Sequence, residues 1–342
     1  MTKFLSFLSL SVLVLAGCSG DSSSSNGSAG GNSATSSADS GTKGGTFKVA
    51  LLTPGPVNDS GWCALAYDGL QGIKEDMGAE VSNQVAVGND IKEAMRTYAQ
   101  KGYNLVFGHG FEYNEPGVQV AKDFPNTVFV SSSGSLTAKN AGAIRFYLEQ
   151  SFYLAGVLAG KATKTNVVGM VGGPQVPSIE STFHAFKAGA ESVNPNIKVL
   201  EAFTGENNDV AKAKQAAEQM IGQKADFLIH QANGGAQGVF NACKEGHIWA
   251  FGANMNQNDN DSGVVIGSAA IIARPAFLEV AKLVKEGKFD GSTIQLDMQK
   301  GAIDFVYNDK LKSQLPADAI AKVEEVKKDI LSGKFVVPKD KF

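Results

Sequence analysis

The sequence predicts an α/β protein built from two doubly wound parallel-sheet lobes with a ligand cleft between them. Three observations point there. From Thr46 onward, short apolar runs alternate with amphipathic helical segments, the pattern of a parallel sheet covered on both faces. That pattern restarts near residue 144, so the alternation describes two lobes rather than one. The chain of 342 residues, 43% hydrophobic and 19% charged, is long and apolar enough for about two separate cores.

Each element has its own local reason. Phe47–Leu52 is a short apolar strand, followed by a helix that carries Ala66, Leu70, Ile73 and Met77 at three- and four-residue spacing. Val81–Val87 reads as the next strand. Asp90 is a suitable cap for a helix presenting Ile91, Ala94, Met95 and Tyr98, which Gly102 ends. A strand at 104–107, a short helix around 116–122 and a strand at 127–131 complete the first set. The second set opens with a helix at 150–162 and a strand at 167–171. A helix bearing Ile179, Phe183, Phe186 and Ala190 follows, with strands near Val199, at 227–230 and at 249–251. Strand and helix signals continue after Val264, so the chain is expected to cross back between lobes. The predicted division is 46–143 plus about 265–303 for the first lobe, and 144–264 plus about 304–342 for the second.

Ahead of these lobes the chain reads as an address. Lys3 precedes an apolar run from Phe4 to Ala16, too short for the ~20 residues of a membrane-spanning helix and suited to a signal peptide at 1–17. Leu15-Ala16-Gly17-Cys18 has the form of a lipobox, which makes Cys18 the lipid attachment site. Residues 18–45 are almost entirely Ser, Gly, Ala, Asn and Thr. Such a segment has too little apolar surface to offset its ordering entropy and is predicted to be a disordered tether. The expected location is the extracytoplasmic face of the cell membrane, held by lipid.

Composition narrows the chemistry. With 31 Lys+Arg against 34 Asp+Glu the formal net charge is −3, which argues against nucleic acid as a partner. The three cysteines are too far apart for a metal-ligand pair, and the four histidines have no paired spacing. No nucleophile elbow is present. Gly156–Lys161 falls one residue short of a phosphate loop and lies within a helical segment. No catalytic set, metal or cofactor is therefore expected.

In open parallel sheets, ligands sit beyond the carboxyl ends of the strands, so the loops there are the candidates. After the first strand come Asn58, Asp59 and Trp62, a polar pair beside a flat ring; the same residues also suit a helix cap with a packed indole. His109, between two glycines, could supply one hydrogen bond or be a plain loop residue. Ser131–Ser133 supply hydroxyls, with Ser133 nominated, and Asn233 and Asn254 occupy matching strand ends in the second lobe. Rich in Asn, Ser and Gly, these loops suit a small neutral ligand. Cys63 and Cys243 read as structural, with Cys63 at a helix start.

Several stretches together resemble the basic membrane protein family (Bmp, Med-like), the substrate-binding lipoproteins of ABC importers for purine nucleosides. They are the lipobox and tether, Asn58–Trp62, Tyr153–Gly156, Val168–Gly173, Phe183–Ala190 and the glycine-rich 233–238. The resemblance covers about Lys48 to Asn308. It implies the type I periplasmic-binding-protein fold, ABC permease and ATPase partners, base-holding roles for Asn58 and Asp59, and ring-stacking roles for Trp62 and Phe183. The chain departs from the pattern at Ser131–Ser133, where an acid is usual. It departs again at Asn254-Met255-Asn256-Gln257 in place of Asp-x-Asp-Gln, and in lacking a Lys after Ser268. Loss of these ribose-gripping charges points to a nucleobase or another neutral, purine-like heterocycle beside the nucleoside. The rival readings are a binding protein for a sugar or small signalling molecule and, with less support, a surface nucleosidase or hydrolase using Cys63 or His109.

Overall fold

The computed structural model describes residues 45–59 and 61–341; the signal peptide expected at 1–17, Cys18 and all but the last residue of the tether expected at 18–45 lie outside the described residues. The chain begins β1 (Lys48–Thr53), α1 (Trp62–Met77), β2 (Glu80–Val85), α2 (Asp90–Gln100), β3 (Leu105–Gly108), a 3-10 turn (Phe111–Tyr113), α3 (Asn114–Ala121), β4 (Val128–Ser132) and β5 (Ala141–Phe146). It continues α4 (Glu149–Ala162), β6 (Val167–Gly172), α5 (Pro177–Val193), β7 (Lys198–Phe203), α6 (Val210–Gly222), β8 (Phe227–Gln231), a 3-10 turn (Asn233–Gly235), α7 (Ala236–Glu245), β9 (Trp249–Asn254) and β10 (Val265–Ile271). Then follow α8 (Ala273–Lys285), β11 (Thr293–Leu296), β12 (Ile303–Tyr307) and α9 (Ala317–Leu331).

Two six-stranded sheets result, in the orders β11-β5-β4-β3-β1-β2 and β12-β10-β9-β8-β6-β7. Both are parallel apart from the antiparallel pair β10–β12. Local chemistry sets the boundaries. Gly78 takes the left-handed conformation at φ 63° and returns its N–H to the Lys74 carbonyl, ending α1. Pro177 opens α5, where a missing N–H costs nothing. Asp209 caps α6 by accepting from the Lys212 N–H. Asp90 is the first residue of α2 rather than its cap, a position taken by Asn89.

The layers follow from burial. Helices α2 and α3 cover one face of the first sheet around Ile91, Met95, Val106 and Phe129. Helices α6 and α7 cover one face of the second around Met220, Leu228, Val239 and Cys243. A larger apolar cluster joins the remaining faces through α1, α4, α5, α8 and α9. In α4 every residue except Lys161 is buried. A Cβ on Gly156 would lie 2.0 Å from the Phe186 carbonyl oxygen, so the near-miss phosphate loop is a helix-packing seam against α5.

The lobe boundaries differ from the expected ones in two places. β5 reaches Phe146 in the first sheet, because no helix separates it from β4 and the apparent restart near 144 is a continuation. β10, expected in the first lobe, pairs with β9 and β12 in the second sheet. A buried apolar strand carries no mark in its own residues of which sheet it joins. The chain crosses between lobes at Tyr147–Leu148, at Ile272 and at 297–302. These segments are tied to one another by Tyr147 N–H to the Leu296 carbonyl (2.8 Å) and Ile272 N–H to the Ala302 carbonyl (2.8 Å).

Candidate ligand-binding site

The carboxyl ends of the strands in both lobes converge on a cavity of about 730 Å³, within the range that encloses a small organic ligand. The first lobe contributes Asp59, Trp62, Cys63, Phe111, Glu112, Ser132, Ser133, Arg145 and Phe146; the second contributes Ile179, Thr182, Asn207, Asn208, Gln231, Asn233 and Asn254.

Trp62 is the aromatic wall, and His109 holds it. The two rings stack at 3.8 Å between centroids with 23° between planes, and Phe146 meets the indole edge-on at 6.3 Å. The indole N–H donates to the His109 carbonyl (3.2 Å), while His109 Nε2 reaches the Trp62 carbonyl (2.9 Å) and Nδ1 reaches Ser132 Oγ (2.7 Å). A carbonyl can only accept, so Nε2 carries the proton and Nδ1 accepts from the Ser132 hydroxyl. Burial pushes the His109 pKa down to about 3, keeping the ring neutral. His109 is thus fully buried behind Trp62 and does not line the cavity, a correction to its nomination as a ligand contact. Its ring nitrogens are both committed to the protein.

Asp59 organises the start of α1. Its Oδ1 accepts from the Gly61 and Ala64 N–H groups (3.0 and 2.9 Å), and its Oδ2 from the Cys63 N–H (3.0 Å) and the Asn233 amide (3.1 Å). Burial opposes its charge. The N–H groups of Ala64 and Cys63, the Asn233 amide and the Gly61 N–H outweigh that and hold its pKa below the ordinary carboxylate value. Four donors occupy the roughly four acceptor sites of a carboxylate, so Asp59 lines the cavity as a cap.

Asn233 links the lobes. From the turn after β8 its Oδ1 accepts from the Trp62 N–H (2.7 Å) while its amide donates to Asp59. A Cβ on Gly61 would come within 2.2 Å of Asn233 Oδ1, so this approach requires glycine. Three residues at the cavity, Ser133, Asn233 and Asn254, have positive φ (92°, 46° and 67°), backbone strain of the kind that collects at ligand sites. Asn254 donates to Gln231 Oε1 (3.0 Å), and both side chains line the cavity from the second lobe.

Two nominated residues lie elsewhere. Phe183 is 1% exposed and stacks on Phe203 at 5.4 Å, outside the cavity lining; it occupies the inward face of α5, whereas Ile179 and Thr182 of that helix meet the cavity. Asn58 is exposed on the loop and is not a lining residue. Residues the sequence did not single out include Arg145 and Phe146, at the end of the unrecognised strand β5. Asn207 and Asn208, in the polar run after β7, had a legible signal as a strand-end loop.

Neither side chain named for a hydrolase reading, Cys63 or His109, is set up for catalysis. Burial, with the Asp59 charge beside it, pushes the Cys63 thiol up to about 12, so it stays protonated at neutral pH. His109 has no free nitrogen to serve as a base. Among the described residues no cluster of metal-ligating side chains occurs.

Two facing α/β lobes, joined by three crossings and closed over a cleft of strand-end loops, define a solute-binding protein. The chain belongs to the Bmp family: the model for ABC transporter substrate-binding protein PnrA-like matches residues 46–341. It is 31% identical over 354 aligned positions to the ABC transporter nucleoside-binding protein BmpA of Lactococcus lactis, covering 96% of this chain and 95% of that one. A purine-binding protein of Brucella abortus is 27% identical, over 84% of this chain and 81% of its own. An ABC transporter solute-binding protein from Conexibacter woesei superposes with a TM-score of 0.72 at 26% identity, covering 86% of this chain and 99% of that structure.

Proposed function

We propose that this protein captures a purine nucleoside or nucleobase outside the cell and delivers it to an ABC permease and its ATPase, held at the membrane by lipid on Cys18. The observation that carries the ligand reading is the indole of Trp62. One face rests on His109, and the side chain lines a cavity closed by amide groups of the other lobe. A flat heterocycle fits such a wall, with Ser133, Asn207, Asn208 and Asn254 placed to bond its edges. The nucleoside- and purine-binding relatives support the same ligand class.

Closure links binding to transport. A ligand that touches both lobes binds only the closed form tightly and shifts the population toward it. The lipid anchor rests on Leu15–Cys18 and the tether that follows; no helix among the described residues is long and apolar enough to cross a membrane.

Isothermal titration with adenine, hypoxanthine, guanine, their nucleosides and ribose tests the ligand. Heat is expected with purine compounds and none with ribose alone; the reverse pattern overturns the reading in favour of a sugar. A Cys18→Ser variant expressed in the native host should leave the membrane fraction, and its retention there would reject the anchor.

A further inference from the structure

Four charged side chains line the cavity: Asp59, Glu112, Arg145 and Glu206. Three have their electrostatic partners in the protein. Asp59 is saturated by four donors. Arg145 pairs with the fully buried Glu149. Glu206 sits 3.6 Å from Lys212 at the exposed rim.

Glu112 is the exception. It stands in the 3-10 turn after β3, and among the described residues no ion pair reaches it; the one hydrogen bond favouring its charge comes from its own peptide N–H. Burial pushes its pKa upward accordingly. The carboxylate folds back over Gly110, where a Cβ would lie 2.3 Å from Oε2, so glycine at 110 makes room for it. Gly110 directly follows the His109 carbonyl that takes the indole N–H of Trp62. The acid therefore stands just past the carbonyl that receives the indole N–H, and it lines the same cavity as Trp62.

We propose that Glu112 is the specificity-determining acceptor of this site. Its two oxygens receive a donor–donor edge, the ring N–H and adjacent amino group of a 2-amino-6-oxopurine. The proposal rests on the purine reading above. An isolated carboxylate facing a cavity gains most from a ligand that brings two N–H groups and no lone pair to that edge. Adenine presents one amino group beside a ring nitrogen whose lone pair opposes the carboxylate. Hypoxanthine, with a single ring N–H, falls between. The sequence passed over Glu112 because the more obvious acid, Asp59, carried the resemblance.

The test compares wild type with Glu112→Gln by calorimetry against guanine, guanosine, hypoxanthine, adenine, adenosine and ribose, with thermal melting of both unliganded proteins. Wild type should prefer guanine and guanosine to their adenine counterparts by at least about tenfold. Glu112→Gln should lose roughly 10- to 100-fold for guanine and guanosine while adenine moves by less than about threefold. Equal losses for every ligand would mark Glu112 as merely structural. A loss confined to ribose-bearing compounds would assign it to a diol; either result overturns the proposal. If wild type binds no purine, the purine reading itself fails first. Glu112→Asp keeps the charge, so it should bind more weakly with the same order of preference; a reversed order counts against the assignment even if the Gln variant does not fold.

Discussion

Trp62 can offer a ligand only one of its faces, because the other is taken by His109 at 3.8 Å. The two residues exchange hydrogen bonds through their carbonyls, so the indole is fixed in angle before any ligand arrives and little freedom remains to be lost on binding. Removing the indole should cost about 1–3 kcal/mol of ligand affinity, the usual range for base–aromatic stacking. Trp62→Ala is accordingly expected to weaken purine binding roughly 10- to 100-fold, with Trp62→Phe retaining most of it. Titration of both variants against the best wild-type ligand checks this, and an unchanged affinity in Trp62→Ala would remove stacking from the account. This residue was only partly readable in the sequence: the strand-end rule put Trp62 among the cleft candidates, while a packed indole at a helix start fitted the same residues. Its partner was misread: His109 is as close in sequence to a strand end, yet its side chain points behind the wall. Phe183 failed for a related reason, because period alone cannot tell which of the faces of α5 looks at the cleft and which at Phe203.

At the scale of elements, the start of α1 and the turn after β8 meet through Asn233, which bonds both Trp62 and Asp59. The amide accepts at one end and donates at the other, so an ionised Asp, which can only accept, cannot replace both contacts. Truncating it leaves the Trp62 N–H unpaired in the closed form and withdraws one of four donors from Asp59. A deficit of about 1–3 kcal/mol in the closed state is the expected scale. Asn233→Ala should therefore shift the ligand-free protein toward a more open form, and Gly61→Ala should do the same through the clash at Asn233. Small-angle scattering with and without ligand reads this as a larger radius of gyration in the free variants; equal radii for wild type and Asn233→Ala would show that the contact does not hold the lobes. The sequence placed Asn233 at the cleft but could not reveal the contact, which joins residues 171 apart.

For the whole molecule, alternation of strands and helices was enough to specify two parallel sheets, and the strand-end rule then located the cavity. What alternation could not specify was the return path: nothing in the residues of β10 or β11 names a sheet, and only pairing sends one to each. The buried polar groups set a further property of the assembled fold, its acid sensitivity. Each lobe hides a neutral imidazole at a strand end. Burial lowers His109 to about 3 and His230, bonded to Gln257 Oε1 at 2.8 Å, to about 4, against an ordinary value of 6.5. In the unfolded chain both rings take up protons near pH 6.5, while in the fold they do not until far lower pH, so the unfolded state binds more protons between these limits. The stabilisation is complete above about pH 6.5 and is lost as pH falls from there through the folded values. Asp59, held below its ordinary 3.8, adds a loss in the same direction at the acid end. Glu112, whose pKa burial raises, opposes it by gaining stability as it protonates. Two fully buried imidazoles outweigh one partly buried carboxyl, so the midpoint of urea unfolding should fall steadily between pH 7 and pH 4.5. A midpoint that stays level or rises across that interval would mean that these rings are not held neutral inside the two lobes.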